Sequence, residues 1–81
     1  MDLKTFKEIN QEKSVVVKIN LLVEALETKG SCRVSRTEAQ RNCNKEDEAY
    51  WASEIRAQDE RAEWLYGEII RELDPDGIME G

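Results

Sequence analysis

The sequence contains no histidine, one proline and four glycines among its 81 residues. Without histidine, the chain lacks the side chain that most often acts as a general base near neutral pH and most often binds metals. Two cysteines alone cannot complete an ordinary zinc site of four cysteine or histidine ligands within one chain. The scarcity of glycine and proline leaves room for few turns, which argues against a sheet of many strands.

Catalytic motifs are missing as well. Carboxylates are plentiful, but none can be paired with a histidine, a glycine-rich phosphate loop or a nucleophile elbow. The segment Asp74–Gly77 resembles a fragment of a calcium loop without the remaining ligands or the closing glutamate. We therefore expect a protein that is not an enzyme and that carries no metal or cofactor.

Long apolar runs are also absent. Those present, such as Val15–Val17, are far shorter than the ~20 residues that span a bilayer as a helix. The first residues, MDLKTFKEINQEK, lack the basic-then-apolar order of a secretory signal peptide. The sequence therefore predicts a cytoplasmic protein that does not enter a membrane and whose cysteines are reduced.

The net charge of −6 is distributed unevenly along the chain. Residues 1–30 are neutral overall, residues 31–45 are basic and residues 46–81 are strongly acidic. A division of this kind bears on the partners of a protein and not on its fold.

The first predicted helix runs from about residue 3 to residue 28. Apolar residues recur there at intervals of three and four, and Thr5–Glu8 has the spacing of a capping box, although Asp2 could also cap the helix. Gly30 fits a C-terminal stop. The main apolar face, expected to lie in the interior, comprises Ile9, Val16, Ile19, Leu22, Val23 and Leu26.

The second predicted helix runs from about residue 46 to residue 73. Asn44 fits the N-cap, and acidic residues fill the first turn, where they interact favourably with the helix dipole. Pro75 ends the helix, and residues 74–81 are expected to form a mobile tail. The main apolar face comprises Trp51, Ile55, Ala62, Tyr66, Ile69 and Leu73.

The connection between these helices, residues 31–45, is basic and contains both cysteines. It is either a loop or a short helix that begins near Arg36, since Ser35–Glu38 has capping-box spacing. Two amphipathic helices joined in this way fold back on each other. We therefore predict an all-α fold in which one domain forms an antiparallel helical hairpin, with a loop or a short helix between its two long helices.

The connection could hold a disulfide only as a loop. If it is helical, Cys32 and Cys43 lie about 16 Å apart and cannot bond. We expect free thiols, one of them buried.

The apolar residues that remain lie on second sides of the two helices, which one hairpin cannot bury. In the first helix, this side consists of Leu3 and of three residues expected to contact a second copy, namely Phe6, Val17 and Leu21. In the second helix, Tyr50, Ala57 and Trp64 follow one another at seven-residue intervals. Either the connection or a partner covers these sides, or the protein self-associates. We expect a homodimer in which two hairpins form a four-helix bundle.

The line of Tyr50, Ala57 and Trp64 is the candidate partner-binding site, because aromatic side chains dominate binding hot spots. The charged residues that surround this line are Glu54, Glu60, Arg61 and Glu68. The acidic half of the chain could mimic nucleic-acid phosphates or attract a basic protein surface, and it could equally be a solvated face that maintains solubility. The aromatic line could likewise be internal packing.

The basic residues of the connection are candidate contacts with phosphates or with an acidic partner. They are Arg33, Arg36, Arg41 and Lys45. The acidic segment that follows would repel DNA, so nucleic acid is the weaker alternative. Otherwise these side chains pair with carboxylates of their own chain or of a second subunit.

Taken together, these patterns favour a small non-enzymatic regulator or inhibitor, of the kind that mobile elements encode. We expect it to bind nucleic-acid-handling machinery through its acidic, aromatic-bearing second helix. Two alternatives remain open: a dimeric regulator that binds nucleic acid with residues 33–45, and a structural subunit of a helical bundle.

Overall fold

Three α-helices lie within residues 2–73, the part of the chain that the computed structural model describes. Helix α1 spans Leu3–Asn10, α2 spans Val15–Arg41 and α3 spans Lys45–Leu73. The two long helices pack against each other as a hairpin, and α1 lies against α3. The predicted all-α hairpin is confirmed, but the short helix precedes the two long helices and does not lie between them.

The single helix predicted for residues 3–28 is wrong, because the chain leaves the helical conformation at residues 11–14. Ser14 starts α2 by accepting a hydrogen bond from the backbone N–H of Val17 at 3.4 Å. The first turn of a helix leaves N–H groups without intrahelical partners, and a serine hydroxyl satisfies one of them. The break therefore has a local chemical cause in the sequence.

Helix α2 continues through Gly30, so both the predicted stop at this residue and the separate connection at residues 31–45 are wrong. A glycine inside a helix costs about 1 kcal/mol relative to alanine. The continued helix offsets this cost by packing along α3, where Cys32 and Ala39 are buried.

The capping-box spacing at Ser35–Glu38 does not start a helix near Arg36 either. The Thr37 hydroxyl donates a hydrogen bond to the carbonyl of Arg33 at 3.0 Å, a contact between residues one turn apart inside a helix. Because the preceding turn already supplies backbone partners, a cap at this position is unnecessary.

The chain reverses between the long helices in a tight turn at Cys43. The N–H of Asn44 donates to the carbonyl of Ala39 at 2.9 Å, and the N–H of Cys43 donates to that of Gln40 at 3.2 Å. These two bonds form a Schellman motif, and Cys43 has the left-handed conformation that the motif requires, with φ of 54°. Asn44 then caps α3 as predicted, accepting from the N–H of Asp47 at 3.1 Å.

The interior of the hairpin follows a seven-residue repeat on α2. The buried residues of α2 are Lys18, Ala25, Cys32 and Ala39. Those of α3 are Gln58, Leu65 and Ile69. Most of the buried residues of α2 are small, whereas Leu65 and Ile69 of α3 are large, and such a combination suits close packing. On α2 the buried residues follow one narrow line.

Most of the main apolar face predicted for the first helix is exposed. The exposed members are Ile9, Val16, Ile19, Val23 and Leu26, whereas Leu22 is half-buried. On α3, Ile69 is buried, but Tyr66 and Leu73 are exposed. The apolar surface is too broad for one line of helix contact, and the chain buries the small residues beside it.

The predicted helix end at Pro75 and the predicted mobile tail at residues 74–81 lie outside the described residues. Within residues 2–73, no helix combines the length and the apolar character that a membrane crossing requires.

Candidate protein-binding faces

Helix α1 covers one face of the hairpin through Phe6, which is buried. The Phe6 ring meets the ring of Trp64 edge-on, with 5.9 Å between the centroids. The guanidinium carbon of Arg61 lies 5.0 Å from the centroid of the Phe6 ring. Leu21 and Ala25 of α2 line the cavity beside Phe6. Aromatic, cation–π and apolar contacts therefore hold α1 on this face.

The start of α1 is capped by Asp2 and not by the box at Thr5–Glu8. The Asp2 carboxylate accepts a hydrogen bond from the N–H of Thr5 at 2.8 Å. This bond stabilises the charged carboxylate and lowers the pKa of Asp2 below its usual value of 3.8.

The end of α1 is held by Lys18, a residue of α2 that is only 2% exposed. Its ammonium donates to the carbonyl of Gln11 at 2.9 Å and to the carboxylate of Glu72 at 3.3 Å. The carboxylate of Glu68 lies 3.7 Å from the ammonium and also accepts a bond from Arg71 at 2.9 Å. One buried charge therefore connects α2, α3 and the end of α1. A lysine enclosed by the apolar run VVVKINLL was the sequence signal for this role.

The predicted line of Tyr50, Ala57 and Trp64 lies on the side of α3 that α1 partly covers. Trp64 is half-buried and contacts Phe6, and Ala57 is also half-buried. Tyr50 is exposed and packs edge-on against Trp51, with 4.9 Å between the ring centroids. The three residues therefore do not form one exposed stripe, because Phe6 partly covers Trp64 whereas Tyr50 packs against Trp51 and is exposed.

The charged residues predicted around this line also differ in their environments. Arg61 and Glu68 make the contacts within the chain described above, whereas Glu60 is exposed. Glu54 is half-buried near Cys32. Burial, followed by the charge of Glu54, raises the pKa of the Cys32 thiol above its usual value of 9.0.

The residues predicted to contact a second copy lie on the same side as α1. Phe6 is buried within its own chain, and Leu21 is half-buried beside it. Val17 is exposed. Because α1 already occupies this side, only Val17 of the predicted set is open to another molecule.

The predicted basic residues lie on helices and not in a loop. Arg33, Arg36 and Arg41 are exposed on α2, and Lys45 is exposed at the start of α3. At ~100° per residue, the three arginines fall within an arc of about 140° and therefore lie on one side of α2. The cysteines are free, with Cys32 buried and Cys43 exposed, as predicted.

A shallow depression lies between α1 and α3, and we call it the α1–α3 depression. Its volume is about 330 Å³. It is lined by Leu3, Lys7, Glu60, Glu63 and Trp64. The two carboxylates belong to exposed residues on the outer side of α3, and the half-buried indole of Trp64 lies next to them.

The opposite side of the hairpin carries an open apolar surface, which we call the apolar face. It comprises Val16, Ile19, Leu22, Val23 and Leu26 of α2 with Ala62, Tyr66 and Leu73 of α3. Leu21 lines the cavity beside Phe6, whereas its neighbour Leu22 lines a groove between the long helices. The apolar face therefore lies away from α1.

The groove in the apolar face has a volume of about 690 Å³. Leu22 and Leu26 line it from α2, and Ala62 and Tyr66 line it from α3. Two acidic residues border it, Asp59, which pairs with Lys29 of α2, and Glu63. The groove was predicted as hairpin interior, and the repeat of small residues on α2 was the signal that could have corrected this.

No group of three or more metal-ligating side chains capable of holding an ion is found among residues 2–73. Two surfaces that a partner can reach in the described part of the chain are the α1–α3 depression and the apolar face. Comparisons of the chain with models of protein families, with curated proteins and with solved structures give no match.

Proposed function

We propose that this protein is a small non-enzymatic regulator or inhibitor that binds a basic surface of another protein through the outer side of α3. The observation that supports this most directly is the α1–α3 depression, where exposed Glu60 and Glu63 lie beside the indole of Trp64. Carboxylates attract and orient a basic surface, and an aromatic ring supplies contact area. Proteins that handle nucleic acids carry basic surfaces, so they are the proposed class of partner.

The proposed contact surface is narrower than the set of residues taken from the sequence. Glu68 is engaged by Lys18 and Arg71, and Glu54 is half-buried beside α2, so neither is well placed to receive a partner. Glu63 takes their place next to Glu60. Nucleic-acid binding through the exposed arginines of α2 is the alternative, and the charge of the acidic helix α3 opposes it.

The test compares two double variants that change the net charge equally. Glu60→Gln with Glu63→Gln alters the depression, whereas Glu27→Gln with Glu38→Gln alters exposed positions on α2. Proteins captured from a cell lysate are identified by mass spectrometry, and the affinity of the purified partner is then measured for each variant.

We expect the first double variant to weaken binding by roughly 10-fold, as for loss of charged contacts at an interface rim, and the second to leave it unchanged. Binding should also weaken as salt rises. Equal affinities for the two variants would reduce the acidic outer side of α3 to a solvated surface.

A further inference from the structure

We propose that the apolar face is the interface of a homodimer, in which the face of one hairpin packs against the same face of a second copy. This assignment does not rest on the proposed function, because the side chains at its centre, Leu26 and Tyr66, line the groove and not the α1–α3 depression, although Glu63 borders both. It also differs from the dimer expected from the sequence, whose contact residues Phe6 and Leu21 are occupied by the chain itself.

Each long helix carries a second apolar line one residue beyond its buried line. Ile19 and Leu26 each follow a buried residue of α2, and Tyr66 follows the buried Leu65 of α3. One residue corresponds to ~100° around an α-helix. A helix in a hairpin needs one line of contact, whereas a helix in a four-helix bundle contacts two neighbours and needs two. The second lines therefore fit a bundle of two hairpins.

The spacing along α2 indicates that the occupant of the apolar face is itself helical. Val16, Ile19, Val23 and Leu26 are separated by three, four and three residues, and all four are exposed. This is the spacing of a seam that packs side chains of one helix between those of another. Beyond Leu26 the line reaches Gly30, which offers no side chain, so the seam is confined to the half of α2 that begins at Val15.

A second copy is favoured over an occasional partner because the single hairpin buries few large apolar side chains. Its buried apolar side chains within residues 2–73 are Phe6, Ala25, Cys32, Ala39, Leu65 and Ile69. Only half of them are large, and domains of this length are marginal without further burial or association. A second copy is always present to supply that burial, whereas an occasional partner would leave the free protein exposed.

The size and the border of the apolar face also suit a dimer. Its exposed side chains present on the order of 600 Å² per copy, near the ~800 Å² per partner of a standard interface. Leu26 is 52% and Tyr66 is 60% exposed, so both have much area to bury. The Lys29–Asp59 ion pair and Glu63 lie at the edge of the groove, which matches the apolar centre and polar rim of protein interfaces.

Salt distinguishes a second copy from a basic partner on this face. Two copies that each carry a net charge of −6 repel each other, so screening strengthens their association. A basic partner held by Asp59 and Glu63 would show the opposite dependence. The homodimer is therefore expected to become tighter as salt rises.

The experiment measures the mass of the full chain by light scattering and sedimentation over a wide range of concentration and at low and high salt. We expect twice the chain mass of 9.4 kDa, with dissociation on dilution that salt suppresses. The midpoint of thermal unfolding should rise with protein concentration, as it does for an oligomer. A mass of one chain at every concentration, with a constant midpoint, would overturn the proposal.

Substitutions then test whether the apolar face is the interface of the dimer. Leu26→Glu with Tyr66→Glu places unpaired carboxylates in the interface and should raise the dissociation constant more than about 100-fold. Val34→Glu is the control for the addition of one carboxylate to an exposed apolar position of α2. Val34 lies about two turns beyond Leu26, outside the seam, so this change should leave the dimer unchanged. Circular dichroism verifies helicity, and the smaller change Leu26→Asn replaces the double variant if that one unfolds.

A dimer that persists in Leu26→Asn and in the double variant, or one that Val34→Glu dissociates equally, would place the interface elsewhere. The failure of this proposal is distinguishable from that of the proposed function. A monomeric Leu26→Asn variant keeps Glu60 and Glu63, and its affinity for a captured partner tests the α1–α3 depression separately.

Discussion

At the scale of the residue, the left-handed turn at Cys43 is an unfavourable place for a side chain. The left-handed conformation costs a residue with a Cβ atom ~1 kcal/mol, and glycine adopts it without this cost. We expect Cys43→Gly to raise the free energy of unfolding by about 0.5–1 kcal/mol. Urea titration under reducing conditions measures the change.

Cys43→Val is the companion variant for this turn. A β-branched side chain is the least tolerant of a positive φ, so this change should lower the free energy of unfolding. If both substitutions had the same effect, the conformation at Cys43 would not govern the stability of the turn.

The free energy of unfolding should fall at alkaline pH because Cys32 is buried. Burial raises the pKa of its thiol in the folded state above the usual 9.0, so the unfolded chain loses this proton first. The contribution is fully present below pH 9.0 and is lost as the pH rises through the folded-state pKa. Urea titrations at neutral pH and above pH 9.0, compared with Cys32→Ala, should show a smaller loss in the variant.

Thiol labelling independently measures the difference in burial between Cys32 and Cys43. A labelling reagent should modify the exposed Cys43 quickly and Cys32 only after the hairpin opens. Equal rates for the two thiols in the folded protein would contradict the burial of Cys32.

At the scale of the element, Phe6 provides the aromatic contacts of α1, and the first turns of this helix should loosen when the ring is removed. Phe6→Ala deletes the ring contacts with Trp64 and Arg61 and should cost up to about 3 kcal/mol of stability. The fluorescence of Trp64 should shift towards that of a solvated indole. Ile9→Ala is the control on the same helix, because Ile9 is exposed and its truncation should change neither property.

The boundaries of the elements show which sequence signals are sufficient. Asn44, with acidic residues in the turn that follows, correctly predicted the start of α3. The cap at Ser14, which no acidic residues follow in the first turn, was overlooked because the valines after it continue the apolar spacing of the preceding helix. The predicted stop at Gly30 was wrong, because the low helix propensity of one glycine costs less free energy than the packing of the continued helix contributes.

At the scale of the whole molecule, Lys18 connects the three helices and should be a sensitive position. Lys18→Ala removes the bonds to Gln11 and Glu72 together with the aliphatic stem, and should cost about 2–4 kcal/mol. Lys18→Met keeps a stem of similar length and should cost less. Denaturant titration compares the two variants, and equal losses would mean that the stem contributes little.

The sequence by itself determined the all-α class, the hairpin of two long helices, the cap at Asn44 and the free thiols, but not the bounds of the first long helix. These features depend on local spacing and on single residues, and such interactions act between near neighbours in the chain. The acidic and aromatic residues of α3 were likewise visible as a candidate surface, although the sequence could not show that Trp64 is covered by Phe6.

Only the tertiary structure decided which apolar line becomes the interior. The chain has more apolar surface than one hairpin can bury, so periodicity alone could not choose between Ala25 and Leu26, which lie ~100° apart on α2. The choice depends on how closely α2 and α3 approach, and small side chains at a seven-residue repeat permit the closest contact. The position of α1 follows from that choice, because Phe6 packs on the side of the hairpin where it lines a cavity with Leu21 and Ala25, which leaves the apolar face uncovered.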